Sequence, residues 1–218
     1  MTVTEFAFVH LSSPLSADTH RALEEAQRTQ DKWVREKDPG LPATRIARGT
    51  GMLQRTDDPS AILVTARWGS PAAHWEWIGT EENKQAMGRL MPLMVTGGEK
   101  KPLLFHVDSV LFPPPGDGVS SALERPVLGL YHWRVSSSAK DEFESKLRET
   151  MARINIGGKT LFRWGWRIEK GDDDEVQELL MVRGWDSEEQ RASGEHGALD
   201  ELSTRALDVN VYSYKRIV

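Results

Sequence analysis

The spacing of apolar positions changes repeatedly along the chain, and each change marks an element. Phe6 to Leu11 (F-A-F-V-H-L) is short and mostly apolar, which predicts a strand. From Ala17 to about Lys37, Leu23, Ala26, Trp33 and Val34 recur on one side with charges elsewhere, which predicts a helix. Ser16 is placed to cap it, and Asp38-Pro39-Gly40 stops it. Arg45 to Arg55 reads as a strand interrupted at Gly49 and Gly51. Ile62 to Trp68 is apolar and partly β-branched, between Asp57-Asp58-Pro59 and Gly69-Ser70-Pro71, and so predicts a strand. Ser70 suits a helix N-cap. Pro71 suits the first helical position, where its missing N–H costs nothing. Thr80 opens a further helical stretch to about Met91, and Pro102 to Phe112 ends this part as a strand.

The same order then returns. Val127 to Val135 is a strand, and Ser138 to Asn155 a helix with Phe143, Leu147, Met151 and Ile154 on one face. Thr160 to Glu169 and Val176 to Trp185 form a hairpin turning at Gly171-Asp172-Asp173-Asp174. Ser187 starts a helix, with Gln190 completing a capping box, and the helical pattern is broken at Gly194 and Gly197. Val209 to Ile217 is the last strand. Trp185 and Ser187 match Trp68 and Ser70, so a strand-W-x-S-helix device occurs once in each half, as a duplicated unit would show. Pro113-Pro114-Pro115-Gly116-Asp117-Gly118 marks the join. This divides the chain into 1–112, a linker over 113–126, and 127–218.

A β-α-β-β-α-β order is the ferredoxin-like arrangement: one antiparallel sheet with both helices on one face. Its bare face needs a cover, because Phe162, Trp164, Trp166 and Ile168 alternate with Leu161, Arg163 and Arg167 and leave neither side polar. The expected fold class is therefore α+β, two tandem ferredoxin-like units whose sheets pack face to face as a barrel within one chain, around a space that side chains fill or line.

Two such units, with the stretch R-W-G-S-P-A-A-H-W-E-W-I-G-T-E-E-N, resemble the dimeric α+β barrel superfamily, especially its antibiotic-biosynthesis-monooxygenase-like and fungal stress-response-like branches. The resemblance spans nearly the whole chain, but the motif is structural. It implies any of several activities: cofactor-free oxygenases, polyketide cyclases, dehydratases, haem-degrading enzymes, or none. The haem-degrading members carry an asparagine on the first strand. The corresponding strands here read F-A-F-V-H-L and L-G-L-Y-H-W, which argues against haem chemistry.

Composition narrows this further. A chain of 218 residues with 39% hydrophobic residues can bury a core, and a net charge of −5 without a basic cluster gives no nucleic-acid footprint. No apolar run reaches the roughly 20 residues of a membrane helix, and the N-terminus lacks a basic leader, so a cytoplasmic location is expected. The absence of cysteine excludes disulfides and thiolate chemistry. No glycine-rich phosphate loop follows a strand, no G-x-S-x-G elbow is present, and no metal-ligand spacing appears. No cofactor or metal is therefore expected. Eight tryptophans point to a thick core, a flat apolar cavity, or both.

The candidate chemistry lies on strands. Two-residue alternation puts His106 and Asp108 on one face. Their nearest counterparts in the second half are Asn210 and Tyr212, with Tyr214 following. If that face lines the interior, these residues with His132 and His10 form a polar lining able to move a proton or hold a carbonyl oxygen. The bland alternative is a set of hydrogen-bonded wall residues. Arg163, in R-W-G-W-R with Trp164, Trp166 and Arg167, either anchors an anionic group or stacks on indole at the surface. His74 reads as structural. Three functions follow: a cofactor-free cyclase or isomerase of an apolar polycyclic natural product held between the sheets, a cofactor-independent monooxygenase of the quinol or anthrone type, or a non-catalytic, stress-associated binding barrel. The expected partner is an apolar small molecule, with no nucleic acid or membrane. A homodimer through an outer face is compatible with each.

Overall fold

A computed structural model describes residues 1–115, 120–154, 162–193 and 196–217. The first unit contains β1 (Val3–His10), α1 (Ala17–Lys37), β2 (Gly51–Arg55), β3 (Ala61–Trp68), α2 (Pro71–Ile78), α3 (Glu81–Leu90) and β4 (Leu103–Val107). The second contains β5 (Val127–Ser136), α4 (Lys140–Ile154), β6 (Arg163–Trp166), β7 (Val176–Trp185), α5 (Glu188–Ser193), α6 (His196–Ser203) and β8 (Asp208–Arg216). Helix starts are fixed as their caps suggest. The hydroxyls of Ser16, Ser70 and Thr80 accept backbone N–H groups of Thr19, Ala73 and Asn83. Between Arg45 and Arg55 the chain forms a short 3-10 turn before β2, with Gly49 at φ 69°, where a left-handed residue is needed. The expected strand start at Thr160 and the break at Gly194 lie outside the described residues.

The eight strands form one antiparallel sheet in the order β4-β1-β3-β2-β8-β5-β7-β6. β2 pairs with β8 to join the units. At the far edges β4 meets β6, where the Asp108 N–H donates to Trp166 O and the Ile168 N–H to His106 O, both close to 2.9 Å. The sheet thus curls into an α+β barrel of ferredoxin-like units. No helix among the described residues is long and apolar enough to cross a membrane.

The two registers correspond. Val3 faces Trp68 as Val127 faces Trp185, and Ala7 faces Val64 as Tyr131 faces Met181. Along β1, Phe6 points into the barrel while Val3, Ala7 and Val9 point to the helices.

The space expected between the sheets is corrected by this structure. The interior is packed with Phe6, Leu63, Phe105, Leu130, Val182 and Tyr214, all at most 2% exposed. Eight strands leave room for little beyond their own side chains, and here those side chains are large. Leu111, Phe112 and Leu123, from the segment joining the units, enter the same core.

Candidate functional site

The open space lies on the opposite face of the first unit's sheet. A cavity of about 340 Å³ sits between β1, β3 and β4 and the helices α1, α2 and α3. Its floor is made of small or aliphatic residues, among them Ala7, Val9 and Val64. The corresponding positions of the second unit are Tyr131, Trp133 and Met181, all buried against Phe143 and Leu147 of α4. One unit therefore keeps a space that the other fills with rings.

One end of the cavity is polar. Glu5 faces His106 directly across the β1–β4 pair, and its carboxylate accepts the Trp68 indole N–H at 2.7 Å. His74, one turn into α2, brings Nε2 to 3.4 Å from the same Glu5 oxygen. The imidazole stacks on Trp68 at 4.5 Å and on the partly exposed Trp75 at 5.8 Å. Its Nδ1 lies 2.8 Å from His106 Nε2. His106 Nδ1 in turn lies 2.5 Å from Glu169 Oε1, and the His106 backbone N–H donates to Glu169 Oε2 at 2.7 Å. A continuous line of four titratable groups thus runs from Glu5, whose side chain is 5% exposed, to Glu169, which is 28% exposed.

Burial shapes the acidities along this line. It pushes the Glu5 carboxyl up to about 7, with the Trp68 N–H pulling the other way. Burial, with the His106 ring beside it, pulls His74 down to about 3, so its imidazole is neutral at ordinary pH. Burial also acts to raise Glu169, but the ring and backbone hydrogen bonds from His106 outweigh it and hold this carboxyl below its usual range. Glu5 and Glu169 are then two carboxyls set apart by their surroundings, one poised near neutrality and one ionised, an arrangement that suits acid–base work. Among the described residues, no group of three or more His, Asp or Glu is placed to hold a metal ion.

No family model matches the chain, and no curated protein matches it. The fold is shared with solved structures. A candidate monooxygenase from Fusobacterium nucleatum superimposes with a TM-score of 0.61 at 10% identity, covering 100% of this chain and 93% of that one. An anthrone oxidase-like protein gives 0.57 at 13%, covering 99% and 91%. A heme-binding protein from Thermus thermophilus gives 0.54 at 12%, covering 99% and 92%. At such identities the likeness is one of fold, and this fold carries more than one chemistry.

The residues singled out in the sequence fall into three separate places. His106 is fully buried on the helix side of β4, within the line described above. Tyr212 and Tyr214 are on the barrel interior, where burial raises both phenols. The expected shared lining is therefore divided. Phe6 pairs with Phe105 as Leu130 pairs with Tyr212, so Phe105, not Asp108, is the counterpart of Tyr212. Matching His106 to Asn210 slips the register by an odd number of residues, and an odd slip moves a side chain to the other face.

His132 and Asn210 are neighbours across β5 and β8. His132 packs against Phe8 on the interior and holds Glu178 at 2.7 Å, with Arg167 on the other oxygen of that carboxylate at 2.6 Å. His10, at the end of β1, is half-buried, and burial, followed by the Lys100 charge, pulls its imidazole below the ordinary histidine range. Asp108 stitches the barrel seam by accepting the Trp166 N–H at 2.8 Å. Trp164 and Trp166 belong to the helix-side core of the second unit, and Trp166 donates to Glu144. Arg163 pairs with Val182 across β6 and β7.

Glu5 and Glu169 escaped the reading of the sequence, and His74 was assigned a structural role there. Glu5 carried a usable signal. It is the one charged residue among Val3, Ala7 and Val9 on a strand face that is otherwise apolar.

Proposed function

We propose that this protein is an enzyme that binds an apolar, ring-containing natural-product intermediate in the helix-side cavity of its first unit and takes a proton from it with Glu5. The observation that carries this reading is the Glu5 carboxyl. It is the buried acid at the wall of a mostly apolar cavity, held near neutrality by burial, and in its ionised form it is a stronger base than an ordinary carboxylate.

The reaction favoured is a cofactor-independent oxygenation of the quinol or anthrone type. Deprotonating an activated ring CH₂ gives an electron-rich anion. Dioxygen then takes electrons from that anion and delivers one oxygen atom to the carbon, so that CH₂ and O₂ become C=O and H₂O. The Trp68 N–H and the neutral His74 ring keep Glu5 oriented for the first step. The fold likeness to candidate monooxygenases and to an anthrone oxidase-like protein supports this choice, as does the resemblance to the antibiotic-biosynthesis-monooxygenase-like branch.

Cyclisation or isomerisation is the second reading, because the same deprotonation yields an enolate that can close a ring or take its proton back elsewhere. A non-catalytic barrel accounts for the filled interior but not for an acid placed in an apolar cavity. Oxygen uptake with anthrone as substrate decides among them. The expected result is uptake that falls about 100-fold or more in Glu5→Gln. Proton exchange at the anthrone CH₂ in D₂O without oxygen uptake favours the isomerase. Neither signal, with anthrone bound, favours the binding barrel.

A further inference from the structure

We infer that Glu169, contributed by the second unit, acts through His106 and His74 as a positioning residue that lets Glu5 ionise inside the first unit's cavity. The inference rests on the reading of Glu5 as the base and adds how a buried carboxyl can lose its proton there.

The line of atoms dictates the path. Glu169 Oε1 sits 2.5 Å from His106 Nδ1, and as a carboxylate it requires a proton on that nitrogen. A neutral His106 then presents a lone pair at Nε2, and His74 Nδ1, 2.8 Å away, must carry the proton between them. That leaves a lone pair on His74 Nε2, facing Glu5 Oε2 at 3.4 Å. When Glu5 ionises, its proton passes to His74 Nε2. The Nδ1 proton of His74 passes to His106 Nε2. His106 becomes an imidazolium held against the Glu169 carboxylate. One proton leaves Glu5, one arrives at His106, and His74 ends neutral with its proton on the other nitrogen. The positive charge stops beside the one carboxylate of the line that solvent reaches. It never rests on His74, whose place between Trp68 and Trp75 is dry.

Two tryptophans flank this line, and its outer carboxylate comes from the second unit. Trp68 of β3 donates to Glu5, Trp75 of α2 lies edge-on to His106 at 6.0 Å, and Glu169 follows β6. The counterparts in the second unit lack the chemistry. Glu5 corresponds to Gly129 and His106 to Ser213, and the Trp185 indole nitrogen, lacking a carboxylate, has no hydrogen-bond partner. A single chain with two different halves can thus keep the cavity in one and supply the outer end of the relay from the other.

The test is infrared titration of the buried carboxyl. A C=O stretching band present near pH 6 and lost in Glu5→Gln reports Glu5 directly, without any substrate. Glu169→Gln removes the carboxylate that holds a charged His106, so ionised Glu5 loses that opposite charge and the midpoint of the band is expected to rise by about one pH unit or more. Glu169→Asp is expected to restore most of it. An unmoved midpoint in a folded Glu169→Gln overturns the inference. Should that variant fail to fold, ¹⁵N NMR of the wild-type histidines decides. Both His106 nitrogens protonated at a pH where Glu5 is ionised supports the relay, and a neutral His106 there overturns it. A shifted midpoint without any anthrone chemistry would leave the relay standing and remove the proposed reaction.

Discussion

Ala7 and Tyr131 hold the same place in the two units, each opposite its partner in the neighbouring strand, Val64 for one and Met181 for the other. A methyl in the first unit against a phenol in the second, together with Val9 against Trp133, goes with a cavity on one side of the barrel and a packed core on the other. Ala7→Phe should therefore fill the floor of the cavity while keeping the fold. Binding of 9-fluorenone, an apolar tricyclic probe, should weaken about tenfold or more by fluorescence titration, with the far-UV spectrum unchanged. Unaltered affinity would place the binding site elsewhere.

Glu5 ties stability to pH. Its folded value, about 7, exceeds the ordinary 4.5, so its contribution is fully present below about 4.5 and is lost as pH rises through 7. Glu5→Gln removes this dependence. Relative to wild type, the variant should gain about 1.4 kcal/mol per pH unit between those values, reaching about 3 kcal/mol at pH 8. Urea unfolding at pH 5 and pH 8 measures the gain. Parallel losses at both pH values would show that Glu5 is not buried as an acid.

His74 works in the opposite direction. Its folded value, about 3, lies below the ordinary 6.5, so its contribution is present above 6.5 and is lost as pH falls toward 3. His74→Asn should cost most near neutrality and progressively less in acid. The gap from wild type should narrow by about 1.4 kcal/mol per pH unit below 6.5. A gap that stays constant from pH 7 to pH 4 would contradict a neutral, buried ring.

Much of the scaffold was legible because it rests on local chemistry. Ser16, Ser70 and Thr80 cap helices where they stand, and Pro71 opens α2, since a cap is decided by a few neighbouring residues. Trp68 and Trp185 occupy matched positions, opposite Val3 and Val127 in the two registers. The site was harder to read for two physical reasons. Side-chain direction in a strand depends on parity, so an odd misalignment of β4 with β8 put His106 on the wrong side of the sheet relative to Tyr212. The cavity arises from what Ala7 and Val9 lack, and small residues leave no motif. Glu169 lies far from His74 in sequence, and only closure of the barrel at β4 and β6 brings it to His106.

The interior cluster of His132, Glu178 and Arg167 stands apart from the cavity, and so does Tyr212. Tyr212→Phe and His132→Phe should therefore leave 9-fluorenone affinity within about twofold. His132→Phe should lower the melting temperature, because it leaves half-buried Glu178 with one fewer hydrogen bond. A large loss of affinity in either variant would move the site into the barrel.

The methionines supply the most direct test of where the ligand goes. Met52, Met87, Met91 and Met94 line the first unit's cavity, whereas Met151 and Met181 are packed in the core of the second. With ¹³C-methyl methionine labelling, titration of 9-fluorenone should shift several of the first four signals and leave Met151 and Met181 in place. Shifts confined to Met151 and Met181, or no shift in any of the six, would contradict a helix-side cavity as the binding site.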